Sequence, residues 1–130
     1  MFDHLGIIVS DVEKAHAFYV SCTAPLGIHV AERHPNGAFV LVPASEKSHG
    51  FLYIGPDAPA FWSEAHALSS SPVHICFTAP SKSAVDRFFE TAVAAGGTSN
   101  GVPGERHPGY YAAYVIDSDG NNIEAAFRER

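Results

Sequence analysis

Apolar residues along this chain fall into two patterns, short unbroken runs and stripes spaced three and four apart, and the sequence of patterns occurs twice. His4-Leu5-Gly6-Ile7-Ile8-Val9 is an apolar run headed by histidine, and a shift of 70 residues lays it on His74-Ile75-Cys76-Phe77-Thr78-Ala79. Each reads as a buried strand. Behind the first, Val12, Ala15, Phe18, Tyr19 and Cys22 follow helical spacing, with Ser10 and Glu13 placed as a capping box. The same shift brings Lys82, Val85, Phe88, Phe89 and Ala92 behind the second run, so the stripe stays apolar at every position but Lys82. Gly27 and Gly97, again 70 apart, stand where the helices should end, because glycine readily takes the left-handed backbone that closes a helix.

After each helix the period shortens to that of strands. Residues 28–32, 38–42 and 51–54 form three strand-like runs, divided by Pro35-Asn36-Gly37 and by the polar stretch 45–50. Residues 98–102, 110–116 and 122–127 repeat the arrangement, divided by a Pro/Gly-rich loop over 103–109 and by Asp117-Ser118-Asp119-Gly120-Asn121. That last run has the residues of a tight turn, where Asp-Gly and Gly-Asn steps supply positive φ. Segment 56–71, rich in Pro, Ala and Ser, reads as a linker with one short helix whose Phe61 and Trp62 cap the core. The fold class is α+β. Two tandem βαβββ modules, 1–55 and 72–130, are joined by the linker 56–71 in a single domain of residues 1–130.

Composition narrows the function. With 130 residues, 46% hydrophobic and 17% charged, the chain suits one packed core. A net charge of -6 and only eight scattered Lys and Arg argue against nucleic acid or an anionic membrane as partner. Met1 runs into the first strand without a basic start or a long apolar stretch, so no signal peptide or membrane span is expected, and the location expected is cytoplasmic. Cys22 and Cys76 read as small buried hydrophobes of a reducing compartment. Two open sheets in so short a chain leave apolar surface uncovered, and Phe61 and Trp62 lie outside both repeats, so a homodimer is expected.

Eight histidines are the compositional oddity. The duplication relates His4 and His74 by a pseudo-twofold axis, so they can face each other. Glu124 sits inside the last strand between Ile123 and Ala125, where an isolated carboxylate would be costly and a metal would offset the cost. Two neutral imidazoles and a carboxylate on three strands predict one divalent ion, Zn, Fe(II), Mn, Ni or Co, with positions open to water or substrate. His16, His29, His34, His49 and His66 lack this support and read as solvated. The loop over 103–109 and the residues after it supply His107 and Tyr110 as catalytic candidates able to donate or accept a proton at a strand mouth. Strand alternation lets only one of Tyr110 and Tyr111 face a cleft, and Arg106 reads as a solvated loop residue.

The segments Asp3-His4-Leu5-Gly6-Ile7-Ile8-Val9-Ser10-Asp11, Phe18-Tyr19, His74-Ile75 and 114–124 together resemble the vicinal oxygen chelate superfamily. That superfamily holds glyoxalase I, bleomycin-resistance proteins, fosfomycin-resistance enzymes and extradiol dioxygenases. The resemblance implies a glyoxalase-like fold, with a curved, open-barrel mixed sheet around a central cleft, and common dimerisation. It also places metal ligands on His4, His74 and Glu124. Glyoxalase I carries a fourth ligand, a glutamate, on the last strand of the first module, and here Tyr53 falls at or next to that place. The function implied is a metal-dependent enzyme, lyase or dioxygenase in type, that chelates a small oxygenated substrate. The other reading is a metal-free binding protein of the bleomycin-resistance kind.

Overall fold

Short runs with one apolar face can be stable only when that face is covered, and in this chain each helix covers one sheet. The computed structural model describes residues 3–45, 50–58 and 74–129. The first module contains β1 (His4–Ile8), α1 (Val12–Thr23), a 3₁₀ turn (Ala24–Leu26), β2 (Ile28–Arg33), β3 (Phe39–Pro43) and β4 (Phe51–Gly55). The second contains β5 (His74–Thr78), α2 (Lys82–Ala94), β6 (Thr98–His107), β7 (Tyr110–Ile116) and β8 (Asn122–Arg128). Most of the linker 56–71, with Phe61, Trp62 and the short helix expected there, lies outside the described residues, as do His49 and His66.

The strands form two four-stranded mixed sheets, β1-β4-β3-β2 and β5-β8-β7-β6, and not one continuous barrel-like sheet. In each, the first strand runs parallel to the last and the rest are antiparallel. Alternation then sorts the side chains. In the second sheet Ile75, Ala113, Val115, Ile123 and Ala125 turn into the core with Val85 and Phe88 of α2. Phe18 of α1 joins the same core, and α1 packs against α2, so the modules share one interior. Two polar contacts tie them further. The Tyr19 hydroxyl donates to Asp117 Oδ2 at 2.7 Å, and the Ser10 amide donates to Asp119 Oδ1 at 2.9 Å.

Several local expectations are corrected. The cap of α1 is Asp11, whose carboxylate accepts from the Lys14 amide, and not the Ser10–Glu13 box. A carboxylate suits that place because the N–H groups of a helix's first turn have no acceptor inside the helix. At the end of α2 the left-handed residue is Gly96, with φ of 96°, while Gly97 is needed for close approach. A Cβ on Gly97 would stand 2.4 Å from Val115 and 2.7 Å from Phe18. The expected loop over 103–109 is largely strand, since β6 runs to His107 through irregular register shifts. Pro103 is tolerated there because β6 is an edge strand and the missing N–H faces no neighbour.

Candidate functional site

Parity along the second sheet decides what its open face carries. Residues 74, 76 and 78 on β5, 124, 126 and 128 on β8, and 110, 112 and 114 on β7 alternate with those in the core. A pair of parallel and antiparallel neighbours thereby brings His74, Glu124 and Tyr110 onto one surface. His74 Nε2 lies 2.7 Å from Glu124 Oε2, and the Tyr110 hydroxyl donates to the other oxygen, Oε1. With a carboxylate as acceptor, Nε2 is the nitrogen that carries the proton. Glu124 is only 4% exposed, so its charge is stabilised by these two donors in place of water. The carboxylate expected to be isolated is therefore satisfied within its own chain.

Tyr110 is fixed on its faces as well as at its hydroxyl. The His107 ring stacks with it at 4.8 Å and 8°, and the Arg128 guanidinium carbon lies 4.2 Å from its centroid. Burial, and next the bond to Glu124, hold the Tyr110 phenol above its ordinary value, so the group remains a donor at neutral pH. Tyr111 points the other way and donates to Asp86 of α2 at 2.7 Å. Tyr114 flanks the site with its ring 6.3 Å from His74, and its phenol is also raised, first by burial and then by the Glu124 charge. Arg106 is held in place by the carbonyls of Val102 and Ala112 and by the Tyr114 ring, 5.0 Å away.

Cys76, expected to be buried, is exposed on this same face directly opposite Glu124 in the β5–β8 register. Its apolar surroundings and, after them, the Glu124 charge push the thiol up to about 12. No sequence signal marked Cys76 or Arg128, and both line the cavity here. That cavity, of about 580 Å³, is bounded by Cys76, Thr78, Ala79, Pro80, Tyr110, Ala126, Phe127 and Arg128. Its size is that of a small-molecule site.

His4 is not part of this cluster. It lies on the first sheet, stacked on Phe51 at 4.6 Å and bonded to Asp3 at 2.7 Å, with its side chain 54% exposed. Among the described residues no group of three or more His, Cys, Asp or Glu is disposed to hold a metal ion. One copy of the chain thus brings together two of the three expected donors, His74 and Glu124, and by itself does not fit a metal centre. Of the histidines read as solvated, His16 packs edge-on against Phe39 at 5.0 Å and is half-buried. His34 lies 5.9 Å from the Tyr53 ring.

The chain is a duplicated βαβββ fold with an acid, an imidazole and a phenol on the open face of its second sheet. The model of the Glyoxalase/Bleomycin resistance protein/Dioxygenase superfamily matches residues 1–125, and the chain belongs to that superfamily. The chain is similar to a glyoxalase/bleomycin resistance protein from Albidiferax ferrireducens T118, at 28% identity over 99% of both chains with a TM-score of 0.77. A glyoxalase/bleomycin resistance protein/dioxygenase family enzyme from Burkholderia phytofirmans PsJN shares the fold at 20% identity, 95% of each chain and a TM-score of 0.69. A glyoxalase-related enzyme from Fulvimarina pelagi does so at 20% identity, with 98% of this chain and 88% of that one covered and a TM-score of 0.69. None of the curated proteins matches the chain. No helix among the described residues is long and apolar enough to cross a membrane.

Proposed function

We propose that the chain is an enzyme of the glyoxalase/dioxygenase type that acts on a small oxygenated molecule at the open face of its second sheet. The observation that carries this is a nearly buried carboxylate, Glu124, held between an imidazole and a phenol, of which the phenol, Tyr110, lines a cavity of about 580 Å³. Glu124 takes or returns a proton on the substrate. Tyr110, kept protonated, donates to Glu124 at rest, and once that acid has taken the proton its hydroxyl turns to donate to the oxygen on which negative charge develops. His74 orients the carboxylate through its bond to Oε2. His107 keeps the Tyr110 ring in place through their stack and does not touch the carboxylate.

The ion that this superfamily implies would be a Lewis acid for two neighbouring substrate oxygens. Among the described residues, a single copy brings together too few donors for it. His4 is a donor of the right type, exposed at the place in the first module that His74 holds in the second. The reading therefore includes a homodimer in which His4 of one copy joins His74 and Glu124 of the other. Free Cys22 and Cys76 support a cytoplasmic location.

One observation favours a metal-free binding protein instead. Both oxygens of Glu124 are satisfied by groups of its own chain, so the site is stable without an ion. Metal content of the purified protein, measured beside sedimentation, separates the two readings. About one ion per chain in a dimer, lost in His4→Ala, His74→Ala and Glu124→Gln, supports the enzyme. No ion taken up by the native chain from any of Zn, Fe(II), Mn, Ni or Co supports the binding protein. An ion lost in His74→Ala but kept in His4→Ala refutes the shared site.

A further inference from the structure

We infer that Arg128 is an anion anchor and that the molecule taken by the second-sheet cavity is a small organic acid, with a carbonyl or hydroxyl oxygen next to its carboxylate. This deepens the proposed function and rests on that reading for the role of Glu124, though not for the binding of the anion.

Arg128 is the only charged residue among those lining the cavity. It forms no ion pair with any acid among the described residues, although acids are close in sequence. Glu129 is paired with Lys82 at 2.5 Å, and Glu124 is taken by His74 and Tyr110. The guanidinium is nevertheless not loose. It is held 4.2 Å from the Tyr110 centroid, and a planar guanidinium stacked on a ring keeps its N–H edge free for a carboxylate. The Tyr110 ring that carries Arg128 on its face also carries, at its hydroxyl, the bond to Glu124. A carboxylate bound by Arg128 would lie beside Tyr110, whose hydroxyl is bonded to Glu124.

Charge balance argues the same way. The chain carries a net charge of -6, so a free anion is repelled in general and needs a local cation to settle. Elsewhere on this face Arg106 is occupied by the carbonyls of Val102 and Ala112. Among the described residues of this face, Arg128 is left as the cation with neither an acid nor a carbonyl as partner. Thr78 and Cys76 add a hydroxyl and a thiol to the same walls, both able to donate to a second oxygen.

The test uses two probes of nearly equal shape, pyruvate and its uncharged methyl ester, titrated into the full-length protein and followed by amide chemical shifts. Pyruvate should move the signals of Cys76, Thr78 and Ala126, and methyl pyruvate should bind at least tenfold more weakly. Arg128→Gln should remove that preference, lowering pyruvate affinity about tenfold and leaving the ester unchanged. Arg128→Lys should restore part of it, and added salt should weaken pyruvate alone. Equal binding of the two probes, no binding of pyruvate, or a preference that survives Arg128→Gln overturns the anchor. Glu124→Gln distinguishes the two proposals. If it leaves pyruvate binding intact and also leaves exchange of the pyruvate methyl protons with solvent at the native rate, the anchor stands and Glu124's catalytic role falls.

Discussion

Tyr53 and Glu124 occupy the same position in the two modules. Tyr53 is registered against Gly6, the third residue of β1, and Glu124 against Cys76, the third residue of β5. What they do there differs. The Tyr53 ring folds along its strand over Gly55, so that a Cβ on Gly55 would meet it at 2.9 Å. Glu124 reaches across to His74. The duplication has kept the position and made it an acid in one module only.

Tyr53→Glu should place an acid at the equivalent position of both modules. In the homodimer proposed above, it sets a carboxylate beside His4 and supplies a fourth donor. The expected outcome is more divalent ion retained after dialysis, read by elemental analysis, and a tighter ion affinity by direct titration. Retention no better than that of the native chain would count against the shared site.

Glu124→Ala should destabilise the chain by about 1–3 kcal/mol in urea unfolding, because it strips His74 and Tyr110 of a charged acceptor in a largely desolvated place. Glu124→Gln should cost less, since the amide still accepts from one of the two donors. A loss of the same size in both would mean that charge, and not hydrogen bonding, dominates.

Cys76 should alkylate slowly for an exposed thiol. Its value of about 12 lies above the ordinary 9, so almost no thiolate is present at pH 8 to 9, and the rate should climb with pH well past the usual range. Because the Glu124 charge is the second cause of the rise, Glu124→Gln should speed iodoacetamide labelling of Cys76, followed by peptide mass spectrometry. Cys22, fully buried, serves as the unreactive reference.

Tyr19→Phe tests the tie between the modules. It removes one hydrogen bond to a buried carboxylate, and about 1–2 kcal/mol of stability should go with it, since Asp117 keeps the amides of Asp119 and Asn121. Burial first and Asp117 next raise the Tyr19 phenol above 10, so the protonated form is favoured by folding. That contribution is complete below pH 10 and is lost as pH rises toward the folded-state value. The native chain should therefore lose stability faster above pH 10 than Tyr19→Phe, by thermal melts across that range.

Gly97→Ala should destabilise by about 1–3 kcal/mol through overpacking. The new methyl would meet Val115, Phe18 and the Ala92 carbonyl, all within 2.9 Å, and Phe18 belongs to the other module. Gly96→Ala meets no atom but carries the positive φ, so its loss should be closer to 1 kcal/mol. Equal losses would show that Val115 and Phe18 shift enough to relieve the overpacking at Gly97.

The order of elements, the duplication and the parity of most strands were legible in the sequence because they rest on local physics. Period, turn residues and the 70-residue shift act within a few positions of each other, and β1, β5 and both helices begin where the shift requires. That one of the two adjacent tyrosines turns away from the other followed from alternation, while the β7–β8 register decided that Tyr110 is the one on the face of Glu124. Tertiary structure decided the rest. An unbroken apolar run reads as covered on both faces, so nothing local told that Cys76 looks onto an open one. Equivalence under a repeat gives two residues the same place in their modules and says nothing of the distance between those places. That distance depends on how the helices pack, and here α1 and α2 join the modules through one core while His4 and His74 remain on separate sheets. Glu124 finds its partners by reaching across strand neighbours far apart in the chain, a contact made by register and not by spacing.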